Sequence, residues 1–230
     1  AEGRTATVTR CDCQAAATQT RDLKAAGIPS EFRDCEFTQF AVVGHEKPEF
    51  DRSLKNARLL AETFVKEFPG GSTSGLLFWG PIGVGKTLLA SAILNELLSR
   101  GHSCLYRDYH DLLIEIRKSY DTVSGTTEWE VLAPVLGVEV LLLDDLGANR
   151  PSPWVQDTIG HILNSRYNNG KTTLITSNYS PDPIARPGDR WRTEDSLADR
   201  VSDRVVSRLH QMCKIIHVNS TDFRRVHKRA

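Results

Sequence analysis

The sequence predicts an α/β domain on a mainly parallel sheet of five strands, and three observations carry that expectation. From residue 76 onward, short apolar runs alternate with longer segments of helical period, the pattern of strands joined by crossover helices. Residues 138–143 are almost continuously apolar, as befits a central strand covered on both faces. A glycine-rich turn at residues 80–85 joins one such strand directly to a helix.

Residues 1–50 show weak periodicity and no long apolar segment, so they read as a lead-in to a domain spanning 51–230. A helix is expected over 53–68, where Leu54, Ala57, Leu60, Ala61 and Phe64 approach helical spacing. The Pro-Gly-Gly-Ser run at 69–75 breaks it. Strands follow at 76–79, 103–106, 138–143, 172–176 and 214–218. Between them lie helices at 86–100, 109–119, 128–135, 154–167 and, after a loop rich in Pro and Arg, 197–212.

Composition narrows the function classes. Lysine plus arginine equals aspartate plus glutamate at 29 each, so nucleic acid can be met only by local patches. The tail Phe223, Arg224, Arg225, His227, Lys228 and Arg229 is one candidate, or simply a solvated terminus. No apolar run approaches the length that crosses a bilayer, and no signal peptide is visible. Among five cysteines, Cys35, Cys104 and Cys213 sit among apolar neighbours, which reads as buried thiols in a cytoplasmic protein.

The turn matches G-x-x-x-x-G-K-[ST] at Gly80, Gly85, Lys86 and Thr87, a phosphate-binding loop. Glycines let the backbone curl around phosphate oxygens, and the following helix adds its positive N-terminus. Lys86 would contact the β and γ phosphates of ATP, and the Thr87 hydroxyl would take a magnesium position. The nucleotide segment is therefore expected to be Gly80, Pro81, Ile82, Gly83, Val84, Gly85, Lys86, Thr87 and Leu88.

The strand at 138–143 runs into Asp144 and Asp145. Two carboxylates leaving a buried strand are costly unless they hold a cation or partners. Asp144 fits the magnesium-supporting acid and Asp145 the base that orients water; a turn pair before Gly147 is the structural alternative. The strand at 172–176 ends in Ser177 and Asn178, on the edge where parallel sheets bind ligands. Asn178 would position water or touch the γ-phosphate, or would be an ordinary turn residue.

Arg200, Arg204 and Arg208 recur every four residues, on one face of the expected helix. They would supply an arginine to a neighbouring subunit's phosphates or pair locally with Asp199 and Asp203.

The order of these motifs resembles the bacterial helicase loaders and transposition helper ATPases, the DnaC/DnaI/IstB-like branch of AAA+ P-loop ATPases. The resemblance rests on Leu141 to Ala148, Trp154 to Asp157, Thr176 to Tyr179, Asp203 to Leu209, and Gly27, Ile28, Pro29, Phe32, Phe37 and Phe40. It implies strand order 5-1-4-3-2 with little or no C-terminal lid domain, slow ATP hydrolysis used as an assembly switch, self-association through an ATP-bridged interface, single-stranded DNA binding and delivery of a replicative ring helicase. It also implies Asn178 as first sensor and Arg204, then Arg208, as the trans-acting arginine. Asp145 departs from the Asp-Glu pair of AAA+ ATPases at large, and its shorter reach is an expected cause of slow turnover. Cys11 and Cys13 resemble the second half of a zinc module, so the chain reads as N-terminally truncated, with zinc expected only in a longer parent.

The mixed aromatic and basic set Tyr106, Arg107, Tyr109, Arg117, Lys118 and Tyr120 offers stacking and phosphate contacts, or belongs to the core and helix faces. An IstB-like helper of a DNA transposase is the alternative function. A small-molecule kinase is a third, disfavoured because neither a lid nor an acceptor pocket is evident.

Overall fold

The structure, a computed structural model, describes residues 23–40, 48–70, 75–121, 125–182, 196–220 and 222. The pair Cys11 and Cys13, the basic tail 223–229 and the expectation about a lid lie outside them. Helix α1 spans Pro48–Glu67. It starts earlier than the apolar spacing indicates, at a proline that has no N–H to leave unpaired in a first turn. Leu54, Ala57, Ala61 and Val65 form its buried stripe.

Five strands follow: β1 (Gly75–Trp79), β2 (Cys104–Asp108), β3 (Val140–Asp144), β4 (Thr172–Ser177) and β5 (Lys214–His217). All pair in parallel, in the order β2-β3-β4-β1-β5. Read from the other edge this is the expected 5-1-4-3-2. Crossovers are α2 (Lys86–Ser99), α3 (Tyr109–Lys118), α4 (Glu128–Gly137) and α5 (Pro153–Asn168). Three begin on side-chain caps: Asp108 for α3, Thr127 with Glu130 for α4, and Ser152 for α5, each satisfying an N–H that the helix leaves open.

Strand side chains alternate between two cores. Leu76, Phe78, Leu142 and Leu174 face α1 and α2, whereas Leu77, Leu141, Leu143 and Ile175 face the helices of the other layer. Residues 23–40 carry no helical period, yet Leu23, Ala26, Ile28, Cys35 and Phe40 are buried in the first core. Two short 3₁₀ helices, Ser30–Phe32 and Phe37–Phe40, explain the missing period. Asn95 on α2 holds this segment, its amide nitrogen donating to the carbonyls of Phe32, Arg33 and Cys35 at 3.0–3.1 Å. The thiols of Cys35, Cys104 and Cys213 are free and buried. Burial pushes them up to about 11, 12 and 12.

The single helix expected at 197–212 is two helices, α6 (Leu197–Val201) and α7 (Asp203–Met212). Ser202 between them has φ 93°. Leu197, Val201, Val205 and Leu209 are spaced by four, and each such step in a continuous helix drifts by about 40°. The break lets all four bury in one core. It also corrects the arginine row: Arg200 belongs to α6 and lies over the Tyr179 ring at 4.5 Å, while Arg204 and Arg208 lie on α7.

At the N-terminal ends of β3 and β4, the fully buried Arg166 is held without a carboxylate. Its five N–H groups reach the Thr173 hydroxyl and the carbonyls of Val135, Val138, Glu139 and Thr172. Burial pulls its pKa down to about 10. The carbonyls at the end of α4 supply the negative end of a helix dipole. Replacing Arg166 by Met should cost about 3–5 kcal/mol, because several buried acceptors lose their donors. The expected readout is a thermal midpoint lower by roughly 10 °C, with nucleotide affinity unchanged below the transition.

Candidate nucleotide and magnesium site

The C-terminal ends of β1, β3 and β4 meet in a cleft of about 1020 Å³. Its floor is the glycine-rich turn after β1, where Gly80, Gly83 and Gly85 have φ of 151°, 81° and 93°. A Cβ on Gly80 would come within 1.9 Å of the Val218 carbonyl oxygen, so only glycine passes there. Ile82, Gly83, Gly85, Lys86, Thr87 and Leu88 line the cleft. Pro81 contributes its carbonyl to Lys86, and Val84 turns its side chain into the core.

Two hydrogen-bonded chains cross the site. In one, the Lys86 ammonium donates to the carbonyls of Gly80 and Pro81 at 2.9 and 2.7 Å and to Asn178 Oδ1 at 2.8 Å. Asn178 Nδ2 donates in turn to Asp145 Oδ1 at 2.5 Å. Asp145 sits at φ 57°, a left-handed position that aspartate tolerates better than most residues. Its N–H donates to the Thr176 hydroxyl at 2.9 Å.

The other chain centres on Asp144, which is 6% exposed. Its Oδ1 accepts from Thr87 at 2.9 Å and Thr176 at 2.5 Å, and its Oδ2 from Tyr106 at 2.8 Å. Burial, then the adjacent Asp144 charge, pushes the Tyr106 pKa far up, so its hydroxyl remains a donor. Magnesium takes hard oxygen ligands, typically one or two carboxylates with phosphate and water. A threonine hydroxyl beside a carboxylate at the rim of a phosphate loop fits that ion: Thr87 and Asp144 would hold it, and it would neutralise phosphate charge.

Sequence reasoning missed Thr176 and Tyr106 as partners of Asp144. Thr176 had a signal, a hydroxyl at a strand end beside the acidic strand; Tyr106 had none. Tyr106 and Tyr109 are buried, which removes both from any stacking surface. Arg117 and Tyr120 do reach the surface, grouped around Trp154. Neither Arg204 nor Arg208 lines the cleft. Arg208 is held by Asn164 and Gln211 at 2.8 and 2.7 Å and stacks on Tyr167. Arg204 is exposed and makes no hydrogen bond or ion pair among the described residues.

Residues 32–230 match the family of IstB-like ATP binding proteins. The chain belongs to this family. This IstB-like chain is 29% identical over 214 residues to the uncharacterized protein YqaM of Bacillus subtilis, covering 89% of the chain and 61% of the relative. It is 33% identical over 148 residues to the replicative helicase loader DnaI of Bacillus subtilis, covering 62% and 47%. To the replicative helicase loader DnaC of Escherichia coli K12 it is 29% identical over 185 residues, covering 80% and 68%. The chain thus spans roughly half to two thirds of these relatives. A crystal structure of the DnaC helicase loader superimposes with TM-score 0.66 at 32% identity, covering 83% of this chain and all of that one. With its phosphate loop, all-parallel strand order and these neighbours, the IstB-like chain is an AAA+ ATPase domain. Among the described residues, no helix is long and apolar enough to cross a membrane.

Replacing Lys86 by Met removes a charged donor whose hydrogen bonds are worth about 1.5–3 kcal/mol each. ATP affinity, read by a fluorescent analogue, should fall roughly ten- to hundredfold, and the thermal midpoint of the unliganded protein should also drop, because the Gly80 and Pro81 carbonyls and Asn178 lose their donor.

Proposed function

We propose that this chain is the ATPase part of a loader that places a replicative ring helicase onto single-stranded DNA, with bound ATP serving as an assembly switch. The observation that carries the reading is the likeness to the DnaC helicase loader over 83% of the chain at 32% identity. The site supports it by its chemistry. Lys86 and the loop N–H groups would bind the phosphates, and Thr87 and Asp144 the magnesium ion. Asn178 would sense the γ-phosphate, and Asp145 would orient water. Because Asp145 is short and already accepts from Asn178, hydrolysis is slow.

Arg204 is the trans-acting arginine in this reading. It is exposed on the first turn of α7, whereas Arg208 is tied to Asn164 and Gln211 in its own chain. The DNA reading is supported by the surface group of Arg117, 4.7 Å over the Trp154 ring, and Tyr120, edge-on to it at 6.3 Å. Cation and rings together suit unstacked bases.

A second reading, an IstB-like helper of a transposase, is favoured by the family match itself. A pull-down offering the cognate ring helicase and a transposase, with and without ATP, separates the two. ATP-dependent retention of the helicase supports the loader; retention of the transposase alone overturns it. Within an assembly, Arg204→Ala should lower turnover at least roughly tenfold, as loss of a trans arginine does. Arg208→Ala should instead lower the thermal midpoint. Mixing Arg204→Ala chains with Lys86→Met chains should restore part of the activity, since some interfaces then pair an intact loop with an intact arginine.

A further inference from the structure

The Asp144 carboxylate has a further partner whose placement has a consequence for magnesium. An ionised carboxylate offers about four lone-pair sites. Thr87 and Thr176 occupy the two on Oδ1, and Tyr106 occupies one on Oδ2. One site remains, on Oδ2. Tyr106 comes from the neighbouring strand, where it pairs in register with Leu142 rather than with Asp144. Its hydroxyl therefore reaches one pair along the same sheet face, a diagonal within range of an aromatic side chain. The ring is 6% exposed. Its backbone N–H donates to the Ala26 carbonyl at 2.7 Å, and Phe32 lies 6.4 Å away between ring centroids. Core packing and the lead-in segment thus hold the hydroxyl in place.

We propose that Tyr106 is a positioning residue for the magnesium site: its hydroxyl locks the Asp144 carboxylate so that the remaining lone pair on Oδ2 is available to the hydration shell of the ion. The inference rests on the reading of Asp144 as the magnesium carboxylate. Tyr106 acts through Asp144, whose Oδ2 accepts its hydroxyl proton. A phenylalanine would preserve the packing but leave one carboxylate oxygen without its donor, free to rotate or to recruit water.

The test compares the intact chain with Tyr106→Phe, using a fluorescent ATP analogue, first in EDTA and then across a magnesium titration. In EDTA the affinity should stay within about twofold of wild type, because the phosphate loop is untouched. The magnesium concentration that gives half of the metal-dependent gain in affinity should rise roughly tenfold, the equivalent of about 1.4 kcal/mol, near the low end for a hydrogen bond to a charged group. Tyr106→Met, which also lacks the hydroxyl but fills the space differently, should show the same shift and stands in if the phenylalanine variant folds poorly. An unmoved magnesium midpoint with a lowered thermal midpoint makes Tyr106 merely structural and overturns the proposal, as does tighter magnesium binding. A wild-type chain that binds ATP with no gain from magnesium overturns the metal reading itself, a separate failure visible before any variant is measured.

Discussion

Asp144 ends a strand in which all five residues are buried, and an ionised carboxylate taken out of water is costly unless its oxygens are bonded. The bonds come from three other elements: Thr87 on α2, Tyr106 on β2 and Thr176 on β4. That demand constrains the whole sheet. A one-residue slip of β2 or β4 against β3 would turn every side chain to the opposite face, losing the hydroxyls and both cores together. The register that buries Leu142 and Leu174 on one side is therefore the register that completes the carboxylate.

The opposite end of the same strands has an inverted arrangement. There the buried charge is the Arg166 cation, and its partners are backbone carbonyls and one hydroxyl. A planar guanidinium with five N–H groups in a fixed fork can reach acceptors on two strand ends and a helix end at once, where an ammonium has only three donors. Nothing about Arg166 faces the cleft. The buried charges at the ligand end, Lys86 and Asp144, line the cleft, whereas the buried cation at the opposite end is fully engaged by the protein itself.

How much of this was legible in the sequence depended on whether the signal was local. The phosphate loop, the acidic strand and the amide at the end of β4 are contiguous motifs, and the structure brings Lys86, Thr87, Asp144, Asp145 and Asn178 into one cleft. Strand order came through the family resemblance rather than from periodicity. The Tyr106 bond, by contrast, is a diagonal across two strands, and no spacing along the chain encodes it. Arg166 looks like any other arginine in the last turn of a helix, where it would ordinarily be solvated. The break at Ser202 was hidden because apolar residues spaced by four read as one continuous stripe. Residues 30–40 pack through 3₁₀ turns and an asparagine clamp, neither of which leaves a 3.6-residue period.

Asn178 joins the two halves of the proposed chemistry, and its side chain is close to the only one that could. Toward Lys86 it must accept, and toward Asp145 it must donate. An aspartate there could accept from the ammonium but would repel the second carboxylate, and a serine or threonine hydroxyl has one proton and a shorter reach. A glutamine has the right groups on a stem one methylene longer. The amide therefore links the charge state around Lys86, where phosphate would sit, to the orientation of Asp145, where water would be activated. On the proposed roles, a base held by the group that would read the phosphate would act only when that group released it, which favours a nucleotide that is held and sensed over one that is rapidly spent.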